Sequence, residues 1–441
     1  MSCADSKMTL PGYDDALARV LAHVPALGVE GVPLDQALGR VLRQAVKADR
    51  DQPPFHRSAM DGFAVIASRI NARQWYDVTG IVAAGGAPLA QGQGQSGVIR
   101  IATGAPVAQP FDAVIPVELA QVEKQGDTER VRFQVTEIKV GQHIHPQGAD
   151  ARREDVVLRA GLVLAPQHIG IAAAVGATKL TVSQLPRITL LTTGDEVVDP
   201  ATATAALGPQ QIRNSNGPML TAFFTALGTP LLEHMHVGDD PEQTRAAARE
   251  ALSRSHLVVT NGGISAGQRD WLPWAWSKLG LGVVIKGVAI QPGKPVLVCS
   301  DSDRDNSDSQ SDIASKLVLG LPGNPVSVLA TAHLFAWPAI RHMLLGADAA
   351  SASLPWRRVV LSEATKASSK REVFRAANLV RDGGAAVIGW HGSGDLMHTA
   401  MADGFVRLPR TDDIIEVGTL VDFLPMLRGG VSGGLSGEVR S

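Results

Sequence analysis

Between Arg187 and Pro325 three apolar runs each end in a glycine-bearing polar turn: Leu190-Leu191-Thr192-Thr193-Gly194-Asp195-Glu196, Val258-Val259-Thr260-Asn261-Gly262-Gly263 and Val318-Leu319-Gly320-Leu321-Pro322-Gly323-Asn324-Pro325. Unbroken Val/Ile/Leu runs are how strands buried on both faces read, and such strands run parallel in α/β sheets. Parallel strands bring their carboxyl ends to one edge, where open α/β sheets bind ligands. All three turns are therefore expected on that edge. Glycine removes the Cβ, so backbone N–H groups can approach a phosphate or another oxyanion, and a following helix N-terminus adds a favourable dipole. One turn of this kind is ordinary chain punctuation. Three together, carrying Asp, Glu and Asn, favour a binding cleft.

The spacing after Pro186 predicts regular alternation: a strand to Thr192, a helix from about Pro218 to Leu227, a strand through His236, a helix from Pro241 to Ser253 and a strand from Leu257 to Thr260. That alternation means βαβ crossovers. Ser215 or Asn216 before Pro218, and Asp240 before Pro241, supply helix N-terminal signals. At the N-terminus, apolar residues three and four apart predict helices over Tyr13–Val24 and Leu34–Val46, with Asp14 a candidate cap for the first. From Pro53 the period shortens to strand-like runs at 62–66, 76–82, 98–101, 113–117 and 131–140. Residues 147–186 return to a mixed pattern, with a helix opening at Pro166. Runs at 358–361, 385–388, 405–408 and 419–424 suggest a small terminal β domain.

The expected architecture is thus a multidomain α/β protein. Residues 1–50 and 145–186 form an elongated mixed α/β domain, and 51–144 a β-rich insert. Residues 187–345 form a central doubly wound, mostly parallel sheet domain, and 346–441 a small β-barrel-like domain. The stretch Asp301–Ser315, dominated by Ser, Asp and Asn, is expected as a surface hairpin between two apolar strands.

With 441 residues the chain is too long for one core, and 45% hydrophobic with 19% charged residues describes a folded, soluble protein. The net charge of −2 supplies no broad basic field, so nucleic acid is not an expected partner. Cys3 and Cys299 suit neither a disulfide framework nor a structural zinc site, which points to a reducing cytoplasm. Met1–Leu10 lacks the basic and apolar regions of an export signal. The most apolar helix, around Val326–Ile340, contains His333 and Pro338 and is expected to be too short to span a membrane. The twelve histidines include no zinc-protease spacing. Neither a Walker phosphate loop nor a nucleophile-elbow pentapeptide is present.

Acidic residues in turns mark four places: Asp61, Asp150, the Asp195-Glu196 pair, and Asp270. Hard carboxylates can hold Mg²⁺ against substrate phosphates. Cationic counterparts lie at Lys286, at Lys294 in Pro292-Gly293-Lys294-Pro295, and at Lys370, Arg371 and Arg375. Such groups bind oxyanions.

Seven motifs run in one order: Ser58-Ala59-Met60-Asp61-Gly62, Thr103-Gly104-Ala105-Pro106, Thr193-Gly194-Asp195-Glu196, Asn214-Ser215-Asn216-Gly217, Gly262-Gly263-Ile264-Ser265, Pro292-Gly293-Lys294-Pro295 and Gly320-Leu321-Pro322-Gly323-Asn324-Pro325. In that order the chain resembles the molybdopterin molybdenumtransferases, the molybdenum insertases, over nearly its whole length. The resemblance implies a cytoplasmic homodimer that inserts molybdate, as substrate, into adenylylated molybdopterin. AMP is released with help from Mg²⁺, and the product passes to molybdoenzymes. It implies that Glu196, Asp270 and Asp239 or Asp240 manage metal and anhydride, while Ser265, Lys294 and Ser393 hold molybdate near the dithiolene. Pro322 and Pro325, with Gly323 and Asn324, would shape the turn under the pterin. Gly194, Asp195, Ser215, Asn216, Gly262, Gly263, Gly293, Lys286, Arg371 and Arg375 complete the implied substrate contacts. Asp61, Thr103 and Asp150 look like the residues that complete the cleft from the β-rich insert and its hinge.

Two departures from the family pattern are visible. Gln291 stands where members often carry a lysine, and the aromatic beside Arg375 is Phe374, one place removed from its usual position. The alternatives weighed are a molybdopterin adenylyltransferase acting with ATP and a non-catalytic pterin-binding scaffold.

Overall fold

The computed structural model describes residues 10–87, 97–135, 137–264, 270–301, 316–346 and 353–428. The chain divides into two compact units, one formed by Met1–Val29 with Ser183–Ser441 and the other by Glu30–Val182.

The first unit is built on a six-stranded sheet in the order Glu233–Val237, Ile188–Thr193, Leu257–Asn261, Leu317–Leu321, Leu297–Ser300, Gly282–Lys286. The first four strands are parallel. The last two pairings are antiparallel, because Leu297–Ser300 runs opposite to both of its neighbours, Leu317–Leu321 and Gly282–Lys286. Register explains the unbroken apolar runs. Leu190 pairs with Val259 and Val259 with Leu319, and all three face a core that also holds Ile188, Leu257 and Phe335. Their neighbours Leu191, Val258 and Val318 face the opposite layer, against Leu252, Leu272 and Trp276. Both faces are covered, so no position in these strands can be polar for solvent's sake.

Helices Asn216–Ala226 and Pro241–Arg254 fall within two residues of the predicted bounds. The helix after the last parallel strand differs from expectation. It runs unbroken from Pro325 to Leu345, 21 residues, with a π turn at Ala332–Ala336, so it is long and apolar enough to cross a membrane. The prediction that it is too short is corrected. Pro338 falls at the start of the α-helical stretch that resumes after the π turn, where a missing N–H is tolerated. Its apolar surface is used internally: Val328, Ala332, Leu334, Phe335 and Ile340 are all buried in the core.

Helix Tyr13–Ala22, which the sequence groups with residues 145–186, contributes Tyr13, Ala16 and Val20 to this same core. Its N-cap is Gly12, not Asp14. Asp14 pairs instead with Arg407 at 2.6 Å, and Arg407 also meets Glu372 at 2.6 Å. The Tyr13 ring stands edge-on to Phe335, Trp356 and Phe374. Phe374 lies on the longest C-terminal strand, Glu372–Leu379, in a sheet ordered Ile290–Gln291, Glu372–Leu379, Gly404–Leu408, Leu420–Pro425, Arg357–Val360. The Glu372–Leu379 strand is absent from the predicted runs.

The second unit carries a six-stranded sheet ordered Ala113–Pro116, Gly62–Val65, Val98–Ile101, Tyr76–Val82, Thr128–Phe133, Ala120–Gln125. This agrees with the β-rich reading, but the last predicted strand ends at Phe133, not residue 140. Its partner Ala120–Gln125 is almost wholly exposed, which is why it has no apolar signature. Helix Pro166–Ala174 forms as predicted. The predicted helix over Leu34–Val46 does not. Only a 3-10 turn at Leu34–Gln36 forms, Gly39 takes a positive φ of 77°, and Val41 and Leu42 bridge to Val163 and Val182. Apolar spacing of three and four there reflects burial between extended segments.

Candidate functional site

In the first unit the parallel register puts Thr193-Gly194-Asp195-Glu196, Gly238-Asp239-Asp240, Asn261-Gly262-Gly263 and Pro322-Gly323-Asn324-Pro325 on one sheet edge. These turns are tied to one another by side chains. Asn216, at the start of its helix, donates from Nδ2 to Asn261 Oδ1 at 2.9 Å and to the Gly323 carbonyl at 2.7 Å. Asn261 Nδ2 in turn donates to the Pro322 carbonyl at 2.6 Å. Asn216 and Asn261 are 9% and 6% exposed, so these amides replace water as partners for the two carbonyls. Asn214 Oδ1 accepts from Gly217 N at 2.8 Å and holds the helix entry. Asp195 Oδ1 accepts from Asp239 N at 3.1 Å, closing the first turn onto the second. The sequence reading does not single out Asn261; its signal is a carboxamide ending a strand of buried apolar residues.

The glycines are places of close approach. A Cβ on Gly194 would lie 2.7 Å from Glu196 Oε2, so the Glu196 carboxylate folds back over its own turn. A Cβ on Gly263 would lie 2.8 Å from Thr193 Oγ1. Ser265 falls outside the described residues, as do residues 302–315 of the expected surface hairpin. Asp270 is described: it precedes Trp271, whose Nε1 donates to the Asp239 carbonyl at 3.1 Å and anchors that segment to the neighbouring turn. Asp240 caps helix Pro241–Arg254 by accepting from Gln243 N at 2.8 Å.

The edge continues into the antiparallel strands. Lys286 ends Gly282–Lys286 and pairs with Leu297, which pairs with Gly320. The Pro292-Gly293-Lys294-Pro295 turn therefore enters the sheet beside the strand that ends at Leu321. Gly293 sits against the long helix; a Cβ there would lie 2.4 Å from Thr331 Cγ2. Gln291 pairs in parallel with Val373, linking this turn to the strand that carries Arg375. Ser393 arrives from the C-terminal sheet: its Oγ accepts from Asn324 Nδ2 at 2.7 Å and its carbonyl accepts from Val326 N at 3.0 Å. Arg375 supports the chain just before it, donating to the Ile388 carbonyl at 3.1 Å with its guanidinium 5.1 Å from the Trp390 ring centre. Burial lowers the Arg375 pKa from the ordinary guanidinium value. Arg371 begins the same segment and is half-buried. Ser215 is the N-cap residue before Asn216 and makes no side-chain capping bond.

In the second unit Asp61 Oδ1 accepts from Thr103 N at 2.8 Å, so two of the ordered motifs meet there. Ser58 and Ala105 pair through the backbone at 2.9 Å. Asp150 accepts from His145 Nε2 at 2.8 Å and lies 3.9 Å from Arg57. A cavity of about 820 Å³ is lined by Arg57, Asp150, Asp155, Ile171 and Val175.

Three stretches match family models: residues 12–176 the MoeA N-terminal region (domain I and II), 189–342 a probable molybdopterin binding domain, and 358–426 the MoeA C-terminal region (domain IV). The molybdopterin molybdenumtransferase of Synechocystis sp. is 30% identical over 412 residues, 92% of this chain and 98% of the relative. That of Synechococcus elongatus is 33% identical over 419 residues, 93% and 98%. The chain belongs to the molybdopterin molybdenumtransferase family. The molybdopterin biosynthesis MoeA protein from Pyrococcus horikosii superposes with a TM-score of 0.77 at 26% identity, covering 96% of this chain and 100% of that one. Matches of this reach favour a molybdenumtransferase over the adenylyltransferase or scaffold alternatives. The stretches matched by the last two family models, 189–342 and 358–426, are joined by the Asn324–Ser393 contact.

Proposed function

We propose that this enzyme inserts molybdenum into molybdopterin along the edge where the four glycine turns meet, using the adenylylated pterin and molybdate as substrates and releasing AMP. Family membership carries the reaction class. The observation that carries the location is the Asn216–Asn261 pair, which holds the Pro322–Gly323 carbonyls while Asn324 holds Ser393. The reading is supported by the backbone of these turns, the Lys294 turn beside them and the Ser393 hydroxyl that Asn324 holds. Lys286, Lys294, Arg371 and Arg375 supply positive charge for an oxyanion, and Ser265 belongs to the same proposed set.

Mg²⁺ fits the donor chemistry of this edge. Glu196, Asp239 and Asp270 offer hard oxygens, and Mg²⁺ needs only one or two carboxylates besides water and substrate phosphate. No three of these carboxylates converge among the described residues. Asp240 contributes less, since it already caps a helix. Bound there, Mg²⁺ would offset phosphoanhydride charge as the bond to AMP breaks. The residues' own part is to hold the pterin over the Pro322–Pro325 turn, orient the anhydride at Glu196 and Asp270, and keep molybdate at Lys294 and Ser393. Asp61, Thr103 and Asp150 are proposed as functional residues of the second unit. A homodimer in the cytoplasm, delivering its product to molybdoenzymes, completes the proposal.

The test is turnover by the purified protein with each substrate withheld in turn. AMP release that requires both molybdate and adenylylated molybdopterin is expected. Adenylylation of molybdopterin by ATP would favour the adenylyltransferase reading, and tight pterin binding without either reaction would favour the scaffold.

A further inference from the structure

Asp395 follows His391 by four residues and precedes His398 by three, on the segment that enters the 3-10 helix Met397–Met401. Asp395 Oδ2 accepts from His391 N at 2.9 Å and meets His391 Nδ1 at 3.1 Å. The other oxygen, Oδ1, meets His398 Nδ1 at 2.7 Å. One ligand atom from each residue lies within 4.8 Å of the others, and this is the one such trio of metal-ligating side chains among the described residues. The two imidazole rings stand edge to face with centres 5.2 Å apart.

The Asp395 side chain is only 14% exposed and is fixed by the backbone N–H of His391, while the His391 and His398 side chains are 86% and 49% exposed. The carboxylate is therefore a fixed anchor with two imidazoles free to turn about it. Two imidazole nitrogens and one carboxylate oxygen match Zn²⁺, Cu²⁺, Ni²⁺ or Co²⁺, which prefer nitrogen donors; Mg²⁺ prefers an all-oxygen shell. An outward-facing trio leaves further coordination positions to water.

We infer that His391, Asp395 and His398 bind one divalent first-row transition-metal ion, with Zn²⁺ as the representative, at a site distinct from the acidic edge assigned to Mg²⁺. Binding exchanges the two imidazole–carboxylate hydrogen bonds for three metal bonds and closes a loop of eight residues, His391–His398. Ser393 lies inside that loop, and its Oγ is the partner of Asn324. The ion thus braces the segment that delivers Ser393 to the long helix. This site stands on its own ligands, independently of which reaction the sheet edge performs.

The experiment uses the full-length protein stripped with chelator and titrated calorimetrically with Zn²⁺, and in parallel with Co²⁺ read by its d–d absorption. The wild type is expected to bind one equivalent at micromolar metal that both His391→Ala and His398→Ala lose, with unchanged circular dichroism. His398→Asp, which keeps an oxygen ligand, should recover part of the Co²⁺ signal. Should either alanine variant keep the wild-type isotherm, or the wild type take up no such equivalent, the trio is only a hydrogen-bonded turn and the inference fails.

Discussion

His333 should make this protein acid-sensitive in a defined window. It lies in the π turn of the long helix and is 1% exposed. Nδ1–H donates to the Leu329 carbonyl at 2.7 Å, and Nε2 accepts from Leu427 N–H at 3.0 Å. Those two bonds fix the neutral tautomer. A proton on Nε2 would set one N–H against another in an almost fully buried site. Burial accordingly pushes the pKa down to about 4, against roughly 6.5 in an unfolded chain. Between those values the unfolded chain takes up a proton that the folded chain does not. Stability is therefore fully present above about pH 6.5 and declines as pH falls towards about 4. At roughly 1.4 kcal/mol per pH unit the gap amounts to about 3 kcal/mol. A His333→Gln variant keeps one donor and one acceptor but does not titrate. Thermal denaturation at pH 7, 6, 5 and 4.5 should show the wild type losing roughly 3–5 °C more than the variant across the window. All other titrating groups are common to both proteins and cancel in the difference. Parallel curves would refute the reasoning.

Asn216→Ala removes the donor shared by Asn261 Oδ1 and the Gly323 carbonyl, and should cost about 2–4 kcal/mol in urea denaturation. Asn216→Asp should cost more, because an acceptor then faces two acceptors; wild-type stability in both would contradict the proposed knot. Asp270→Asn should bind adenylylated pterin yet release AMP slowly, since a neutral amide is a poorer Mg²⁺ ligand of nearly the same shape; normal release at saturating Mg²⁺ removes Asp270 from that role. Gln291→Lys should lower the half-saturating molybdate concentration by adding positive charge beside the Lys294 turn, and an unchanged or higher value would sink the idea.

The inner strands of the central sheet were legible because both of their faces are buried, so Ile188, Leu190 and Leu191 form an apolar run in which even the threonines are buried. Elements whose partners are distant were not. Glu372–Leu379 begins with a charged residue because Glu372 is held by Arg407 and Arg410, and a local reading of 370–375 sees only a basic cluster. The apolar spacing at Leu34–Val46 fits a helix by period alone, and only its pairing with Val163 and Val182 makes it extended. Asp14 looked like a cap for the same reason: its partner Arg407 lies 393 residues away.

The site motifs were legible for a reason that differs in part from the one that picked them out. Glycine in these turns suggested room for a phosphate. In the structure several of the missing Cβ atoms would strike the protein itself: at Gly217 the ring of His234 at 2.5 Å, at Gly238 the Asp195 carboxylate at 2.5 Å, and at Gly293 Thr331 at 2.4 Å. At Gly238 and at Gly263 the obstructing side chain, Asp195 or Thr193, belongs to another turn motif of the same edge. Glycine at one turn thus permits the next turn to approach, and the polar residues then lock the approach, as Asp195 does with the amide of Asp239. Substituting alanine at Gly238 should therefore disturb the Asp195 turn as well as its own. That mutual dependence is why these motifs carry information as an ordered set that none of them carries alone.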